Sequence, residues 1–388
     1  MARAARVGAE DVEDVDPFDP RRNPHLEGFE EAERTVLEAW SGGRFPHAWL
    51  ITGPKGVGKT TFAYRLARFV LANRGRGNGA GGGLFGENLA PDRLTIPEDS
   101  QTFRLVASGG HPDLRSLTRG MLDQAGKPTA TIINVYQTRR VVDFTYQTSG
   151  ISDWRVVVVD AADDFNTSSA NAILKALEEP PSRALFLLVS HAPGGLLPTI
   201  RSRCRTLKVR ALPEDTVASL LRRYRPETAE EEAVALARLS DGSVGRAMAY
   251  REAGGLALFE ALTHWLSRPD DPDMAQAAAL ADRVGGKGGE GAFEALRDLF
   301  DWWMRRVIRA LAVGTDPAPV DAADAAALAA FKRIGDPARV GALRDRALAR
   351  LAQAAPPANL DRRQVIVALI SELQRGTGSG SGTGALRR

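Results

Sequence analysis

The feature that most constrains this chain is a glycine-rich run, GPKGVGKT, from Gly53 to Thr60. It fits the pattern G-x-x-x-x-G-K-[ST], in which a tight turn directs its backbone N–H groups at a phosphate. A short apolar run from His47 to Ile51 precedes it, and an amphipathic run from Thr61 to Ala72 follows it. This order predicts a buried strand, a phosphate-binding loop and a helix whose N-terminus faces the phosphate.

Each part of the loop has a predicted role. The glycines allow the backbone to curl, Lys59 adds a mobile positive charge, and the hydroxyl of Thr60 can ligate Mg²⁺. A nucleotide is therefore the predicted ligand. The predicted nucleotide contacts in this loop are Gly53, Gly56, Gly58, Lys59, Thr60 and Thr61.

Composition narrows the class of protein. The chain has 388 residues, enough for two or three domains, and a formal net charge of +3, which is a weak argument for DNA binding as a sole function. Cys204 is the one cysteine, so an internal disulfide and a zinc site built mainly from thiolates are excluded. No apolar run approaches the roughly 20 residues that cross a bilayer, and the first residues do not resemble a signal peptide. We expect a cytoplasmic protein without membrane contact.

The hydrophobic pattern changes class along the chain. Apolar runs at Trp154–Asp160 and Ala184–Ser190 predict buried strands, and Ser168–Glu179 between them predicts a helix. Alternating strands and helices indicate a parallel sheet covered on both faces. From Leu212 onward the pattern is helical. The predicted segments are a flexible arm at 1–22, an α/β nucleotide-binding domain at 23–210 with a glycine-rich loop at 74–86, helical domains at 211–254 and 255–375, and a flexible tail at 376–388.

The predicted Mg²⁺-side acid is Asp160, which directly follows four valines at the end of a strand. The next residue is Ala161, where a hydrolysing ATPase of the oligomeric-ring type carries a glutamate that polarises water. Loss of a general base costs about two to four orders of magnitude, so nucleotide binding without efficient hydrolysis is expected. Asp163 and Asp164 are nearby carboxylates, either replacement bases or ordinary loop and helix-start charges.

Three further positions could contact phosphate. Arg203 lies in a cluster of three arginines from Arg201 to Arg205, which is either a solvated basic turn or a group that completes a neighbouring subunit's site. Ser190, at a strand end, could bond the γ-phosphate or make a turn bond. Arg246 begins a helix in the second part of the chain and could reach the phosphates. His47 and His111 are expected to be structural, and Cys204 a packing residue.

Several longer motifs carry a family resemblance. They are His47-Ala48-Trp49-Leu50 before the glycine-rich loop, His111-Pro112-Asp113, the run from Ala170 to Pro181 that ends in LEEPP, and the run from Leu197 to Cys204 that ends in Ser-Arg-Cys. Over residues 23 to 250 the chain resembles the delta-prime family of bacterial DNA polymerase III clamp-loader subunits, within the AAA+ superfamily.

The resemblance implies a fold and a set of roles. The fold is an AAA+ P-loop domain, a small helical lid over 211–254 and an all-α collar over 255–375. Arg203 would be an arginine finger acting in trans, while Ser190 and Arg246 match the sensor-one and sensor-two positions. ATP or ADP would bind with Mg²⁺ held by Thr60 and Asp160. Relatives usually carry a four-cysteine zinc module in the region of residues 72–110, which has no cysteine here, so zinc is not expected.

The resemblance also implies partners. The chain would be a stator in a five-subunit ring with the delta and tau or gamma subunits, a component of the replicative polymerase holoenzyme in the bacterial cytoplasm. The ring places a sliding clamp on primed DNA, and DNA contact would be made through the complex.

Three alternatives remain. An ATP-hydrolysing tau or gamma motor subunit is disfavoured by Ala161 and Ala162, a stand-alone NTPase would not need Arg203 in trans, and the small net charge disfavours a DNA-binding module.

Overall fold

The computed structural model describes residues 18–73, 91–127, 132–268, 274–286, 288–355, 358 and 360–377, without the side chains of 374–377. The predicted glycine-rich loop at 74–86, the arm up to residue 17 and the tail from residue 378 lie outside these ranges. The chain divides into two compact units, Met1–Ala211 and Leu212–Arg388.

The first unit alternates helices and strands, as predicted for an α/β domain. Its elements in chain order are α1 (Glu30–Ser41), β1 (Ala48–Thr52), α2 (Lys59–Ala72), α3 (Gln101–Ala107), β2 (Leu114–Thr118), α4 (Val135–Thr145), β3 (Arg155–Asp160), α5 (Thr167–Glu178), β4 (Ala184–Ser190), α6 (Pro198–Arg203) and β5 (Arg205–Lys208).

All five strands form one parallel sheet in the order β2-β3-β4-β1-β5. Strand β1 lies between β4 and β5, with Trp49 opposite Leu187 on one side and Arg205 on the other. Because the strands are parallel, their carboxyl ends meet at one edge. That edge carries Thr52, which leads into the glycine-rich loop, and the predicted site residues Asp160 and Ser190. The predicted parallel sheet is confirmed.

Both faces of the sheet are covered. Val156 and Val158 belong to a buried cluster shared with α1 and α2, whereas Val157 and Val159 belong to a second cluster shared with α4 and α5. A run of β-branched residues suits this position because each face of the strand packs against helices. The two-sided burial predicted for this strand is confirmed.

The residues before α1 are held against the first unit. Arg68 of α2 donates to the carbonyl oxygens of Arg21 and Asn23 at 2.7 and 3.0 Å, and Arg22 donates to Ala107 at the end of α3. Asp19 pairs with Arg21 at 2.6 Å. Residues 18–22 therefore differ from the loose arm predicted over 1–22, because α2 supplies an arginine that bonds their backbone.

The second unit is helical throughout its described residues. Its helices are α7 (Glu214–Tyr224), α8 (Glu230–Leu239), α9 (Val244–Ala253), α10 (Gly255–Leu266), α11 (Met274–Gly285), α12 (Glu290–Val313), α13 (Ala322–Lys332), α14 (Pro337–Ala352) and α15 (Arg362–Thr377). No described helix of the chain is long and apolar enough to cross a membrane.

One buried cluster runs through the second unit from Leu212 to Leu373. Trp303 stacks edge-on against Phe331 at 5.0 Å, and its indole N–H donates to the buried carboxylate of Asp324 at 2.7 Å. Trp302 packs edge-on against Phe259 of α10 at 5.9 Å, so both tryptophans of α12 pack against neighbouring helices. The core includes residues from both predicted helical segments, and their separation into a lid and a collar stays a prediction.

Candidate functional site

The glycine-rich loop lies where the sequence pattern places it. Strand β1 ends at Thr52 and α2 begins at Lys59. Gly53 has φ +150° and a Cβ there would lie 2.4 Å from the carbonyl oxygen of Val209. Gly58 has φ +103°, and its Cβ would meet Leu26 at 3.2 Å. A side chain would be strained at both positions, so the loop packs closely against its surroundings, and it leads directly into the N-terminus of α2.

Lys59 is buried at the start of α2. Its ammonium group donates to the carbonyl oxygens of Gly53 and Pro54 at 2.8 and 2.5 Å. Burial lowers its pKa to about 8, although the nearby carboxylates of Asp160 and Asp163 favour the charged form. The side chain therefore carries a poorly solvated charge over the loop, which is the arrangement that an anionic ligand would stabilise.

Thr60 and Asp160 meet across the edge of the sheet. The Thr60 hydroxyl and the Asp160 carboxyl are hydrogen-bonded. Burial raises the pKa of Asp160, and this effect exceeds those of the Thr60 bond and the Lys59 charge, which both lower it. The described residues contain no group of three His, Cys, Asp or Glu side chains that could hold a metal ion alone. This pair therefore fits a Mg²⁺ ion that also takes phosphate oxygens and water.

Asp163, which follows β3, is hydrogen-bonded to the residues at the end of β4. Its carboxylate accepts hydrogen bonds from the Ser190 hydroxyl at 2.7 Å and from the backbone N–H groups of His191 and Ala192 at 2.5 and 3.2 Å. Asp164, the next residue, pairs with Arg119 at 3.0 Å. Both carboxylates are engaged, which favours their role as loop charges over that of replacement bases. Ser190 lies beside the loop, with its hydroxyl committed to Asp163.

The residues that directly follow Asp160 carry no carboxylate until Asp163. Ala161 and Ala162 follow Asp160 and both are buried. The first carboxylates after Asp160, those of Asp163 and Asp164, already accept hydrogen bonds or pair with an arginine.

Arg203 lies near the amino ends of the strands, at the other end of the sheet from the glycine-rich loop. It ends α6, two residues before β5 begins at Arg205. Because β5 is parallel to β1, this end of β5 is level with the beginning of β1, about 15 Å from the glycine-rich loop along the strand. The structure therefore does not bring Arg203 together with its own chain's Lys59 and Asp160.

Comparison with known proteins finds a family match over most of the first unit. Residues 30–213 match the family model described as DNA polymerase III, delta subunit. The match covers somewhat less than half of the chain. We refer to residues 30–213 as the delta-family segment.

Curated relatives each match about half of the chain. DNA polymerase III subunit delta' of Pseudomonas aeruginosa is 37% identical over 210 residues, which is 53% of this chain and 56% of the relative. The subunit delta' of Escherichia coli is 30% identical over 214 residues, 55% of this chain and 57% of the relative. DNA polymerase III subunit gamma/tau of Mycobacterium bovis is 30% identical over 207 residues, 53% of this chain and 32% of the relative. The chain thus spans little more than half the length of these two delta' relatives.

His191 is a member of the site that the sequence did not indicate. It lines a cavity of about 600 Å³ with Thr52, Gly53 and Pro54. Burial and the positive charges of Lys59 and Lys55 lower its pKa to about 4, so the ring is neutral at physiological pH. Its place directly after Ser190, at the carboxyl end of a buried strand, is the signal that could have found it.

Arg246 belongs to the second unit rather than to the delta-family segment. Its backbone N–H donates to the Ser243 hydroxyl at 3.1 Å and its guanidinium donates to the carbonyl oxygen of Ser240 at 3.2 Å. The sensor-two role of Arg246 stays a prediction.

The histidines and the cysteine expected to be structural have structural contacts. His47 Nε2 lies 3.0 Å from the carbonyl oxygen of Leu177 at the end of α5. His111 Nδ1 accepts from the backbone N–H of Asp113 at 3.2 Å. Burial raises the pKa of the Cys204 thiol to about 12, so it remains protonated and packs in the core.

Proposed function

We propose that this chain is the delta-prime subunit of a bacterial DNA polymerase III clamp loader and that Arg203 acts on a nucleotide held by a neighbouring subunit. The observation that carries the proposal is the position of Arg203 at the sheet edge opposite the loop of its own chain. A guanidinium group stabilises charge on a transferring phosphoryl group. Placed at this edge, it is suited to a nucleotide outside its own chain.

The local site supports binding of ATP or ADP with Mg²⁺. Lys59 and the N-terminus of α2 would hold the phosphates, while Thr60 and Asp160 would hold the metal ion. Ala161 stands in place of a base, so the chain would bind nucleotide without efficient turnover. It would hold the ring together while its neighbours hydrolyse ATP.

The match of the delta-family segment and the delta' relatives support a place in the DNA polymerase III clamp loader, and from that place we infer the partners. They are the delta and tau or gamma subunits of a five-subunit ring, the sliding clamp, and primed DNA through the complex. The function of the ring is to place the clamp on the DNA for chromosome replication.

The second candidate is a tau or gamma motor subunit of the same loader. The gamma/tau relative and the intact glycine-rich loop favour it. The buried Ala161 and Ala162, followed by an engaged Asp163, argue against it.

The test is the ATPase activity of a loader reconstituted with Arg203→Ala. We expect DNA-stimulated turnover to fall about ten-fold or more, because arginine fingers contribute several orders of magnitude at the site that they serve. Arg201→Ala is the matched control, since Arg201 lies in the same helix and has no ion pair among the described residues. The chain alone should turn over no ATP. Normal turnover with Arg203→Ala would reject the proposal, and turnover by the chain alone that requires Lys59 would establish the motor.

A further inference from the structure

Arg203 is held by a glutamate from the LEEPP run. Its Nη2 lies 2.7 Å from Oε1 of Glu178, the last residue of α5. Its Nη1 donates to the carbonyl oxygen of Thr199 at 2.9 Å and to the Ser202 hydroxyl at 3.3 Å. The guanidinium group is thus fixed by one contact from another helix and two from its own.

The end of α5 that carries Glu178 is itself anchored. The preceding residues, Ala176 and Leu177, are buried in the sheet-facing cluster. The carbonyl oxygen of Leu177 contacts the His47 ring at the beginning of β1. Pro180 follows two residues later and prevents the helix from continuing. Glu178 therefore extends from a well-packed helix end, whereas its side chain is 47% exposed.

The contacts leave part of the guanidinium group available. An arginine side chain has five N–H donors, and the three described contacts use three of them. The Nε–H and one Nη2–H remain. A partly exposed ion pair adds little to stability, so orientation of a flexible side chain is the more important effect of this one.

We propose that Glu178 is the positioning residue of Arg203, holding its guanidinium group so that the remaining N–H donors face the phosphoryl oxygens of a nucleoside triphosphate on a neighbouring subunit. This inference rests on the proposed function of Arg203. It gives the LEEPP run a role in phosphoryl transfer that is separate from helix termination.

The experiment compares loaders reconstituted with Glu178→Ala, Glu178→Gln and Glu179→Ala. Glu179 is the adjacent exposed glutamate and has no ion pair among the described residues, so it is the matched control. Glu178→Ala should lower the DNA-stimulated kcat about two- to five-fold with KM for ATP unchanged. Glu178→Gln should recover part of the loss because its amide oxygen still accepts a hydrogen bond. With Arg203→Ala present, Glu178→Ala should have no further effect.

The outcomes separate this inference from the function on which it rests. Thermal unfolding of each variant and its assembly with delta and tau establish that the subunit is intact. If Arg203→Ala abolishes turnover but Glu178→Ala behaves like Glu179→Ala, the positioning role is rejected and the finger stands. A rise in kcat with Glu178→Ala would show instead that the ion pair restrains the finger, and would also overturn the inference. If Arg203→Ala has no effect, the proposed function itself fails.

Discussion

The pKa of the buried Lys59 side chain should change when an anionic ligand binds beside it. Burial holds its pKa near 8, below the ordinary value of 10.5, because its ammonium group has exchanged water for two loop carbonyls. Between these two values the unfolded chain binds more protons than the folded chain, so the Lys59 contribution to stability rises with pH across this window. A bound phosphate would reverse the preference and favour the charged lysine.

Nucleotide affinity should therefore weaken as pH rises through about 8. We expect the Kd for Mg²⁺-ADP, measured by titration calorimetry, to be about ten-fold higher at pH 9 than at pH 7.5, because the neutral lysine must take up a proton on binding. Lys59→Arg is the control, since a guanidinium group stays charged over this range and should bind with little pH dependence. An equal pH dependence in both proteins would assign it to another group.

At the scale of elements, Asp113 fixes the segment that leads into β3. Its two carboxylate oxygens accept from the backbone N–H groups of Gly150, Ile151 and Ser152. Burial alone would raise its pKa, but these three bonds outweigh that effect and the pKa lies below its ordinary value. One side chain at the beginning of β2 thus orders the start of the neighbouring strand.

Replacement of Asp113 should lower the stability of the folded chain. Asp113→Asn puts an NH₂ group where one carboxylate oxygen accepts backbone N–H bonds, and we expect the free energy of unfolding to fall by about 2–3 kcal/mol in urea denaturation at pH 7. Asp143→Asn, on the exposed surface of α4, should change it by less than about 0.5 kcal/mol. Because the folded pKa is depressed, the difference between wild type and Asp113→Asn should shrink as pH falls below 3.8, the ordinary aspartate value. Equal stability of the two variants at pH 7 would contradict this account.

The elements divide into those that local sequence reveals and those that it does not. Strands β3 and β4 were predictable because each is a nearly continuous apolar run buried on both faces. The edge strands β2 and β5 were not predicted, since β2 buries only Leu114 and Leu117, and β5 only Leu207.

Contacts between elements could not be predicted from the sequence either. Asp163 and Ser190 meet because β3 and β4 are neighbours in the sheet, and His47 and Leu177 meet across 130 positions. A hydrophobic pattern reports how one segment is buried but not which segment it lies beside. The residue types of the site were therefore predictable, whereas the bonds that already engage Ser190, Asp163 and Arg203 required the structure.

At the scale of the whole molecule, each unit has its own core. Two clusters cover the faces of the sheet in the first unit, and a separate cluster fills the helical unit from Leu212 to Leu373. A domain with its own core can fold alone.

We therefore expect fragments 18–211 and 212–377 each to give a single cooperative transition in thermal unfolding followed by circular dichroism. Fragment 212–286 is the control and should unfold without a cooperative transition. It lacks α12 and with it Trp303 and much of the helical core. Noncooperative unfolding of fragment 212–377 would mean that the helical unit depends on the delta-family segment.

The parallel sheet also gives the first unit a direction. The glycine-rich loop lies at the carboxyl ends of the strands, and Arg203 lies near their amino ends. The two ends of the unit therefore present different surfaces. A contact between the Arg203 end of one such unit and the glycine-rich-loop end of another would join two different surfaces, which makes it a head-to-tail contact. Head-to-tail contacts give every subunit the same orientation, and they either close into a ring or continue as an open filament.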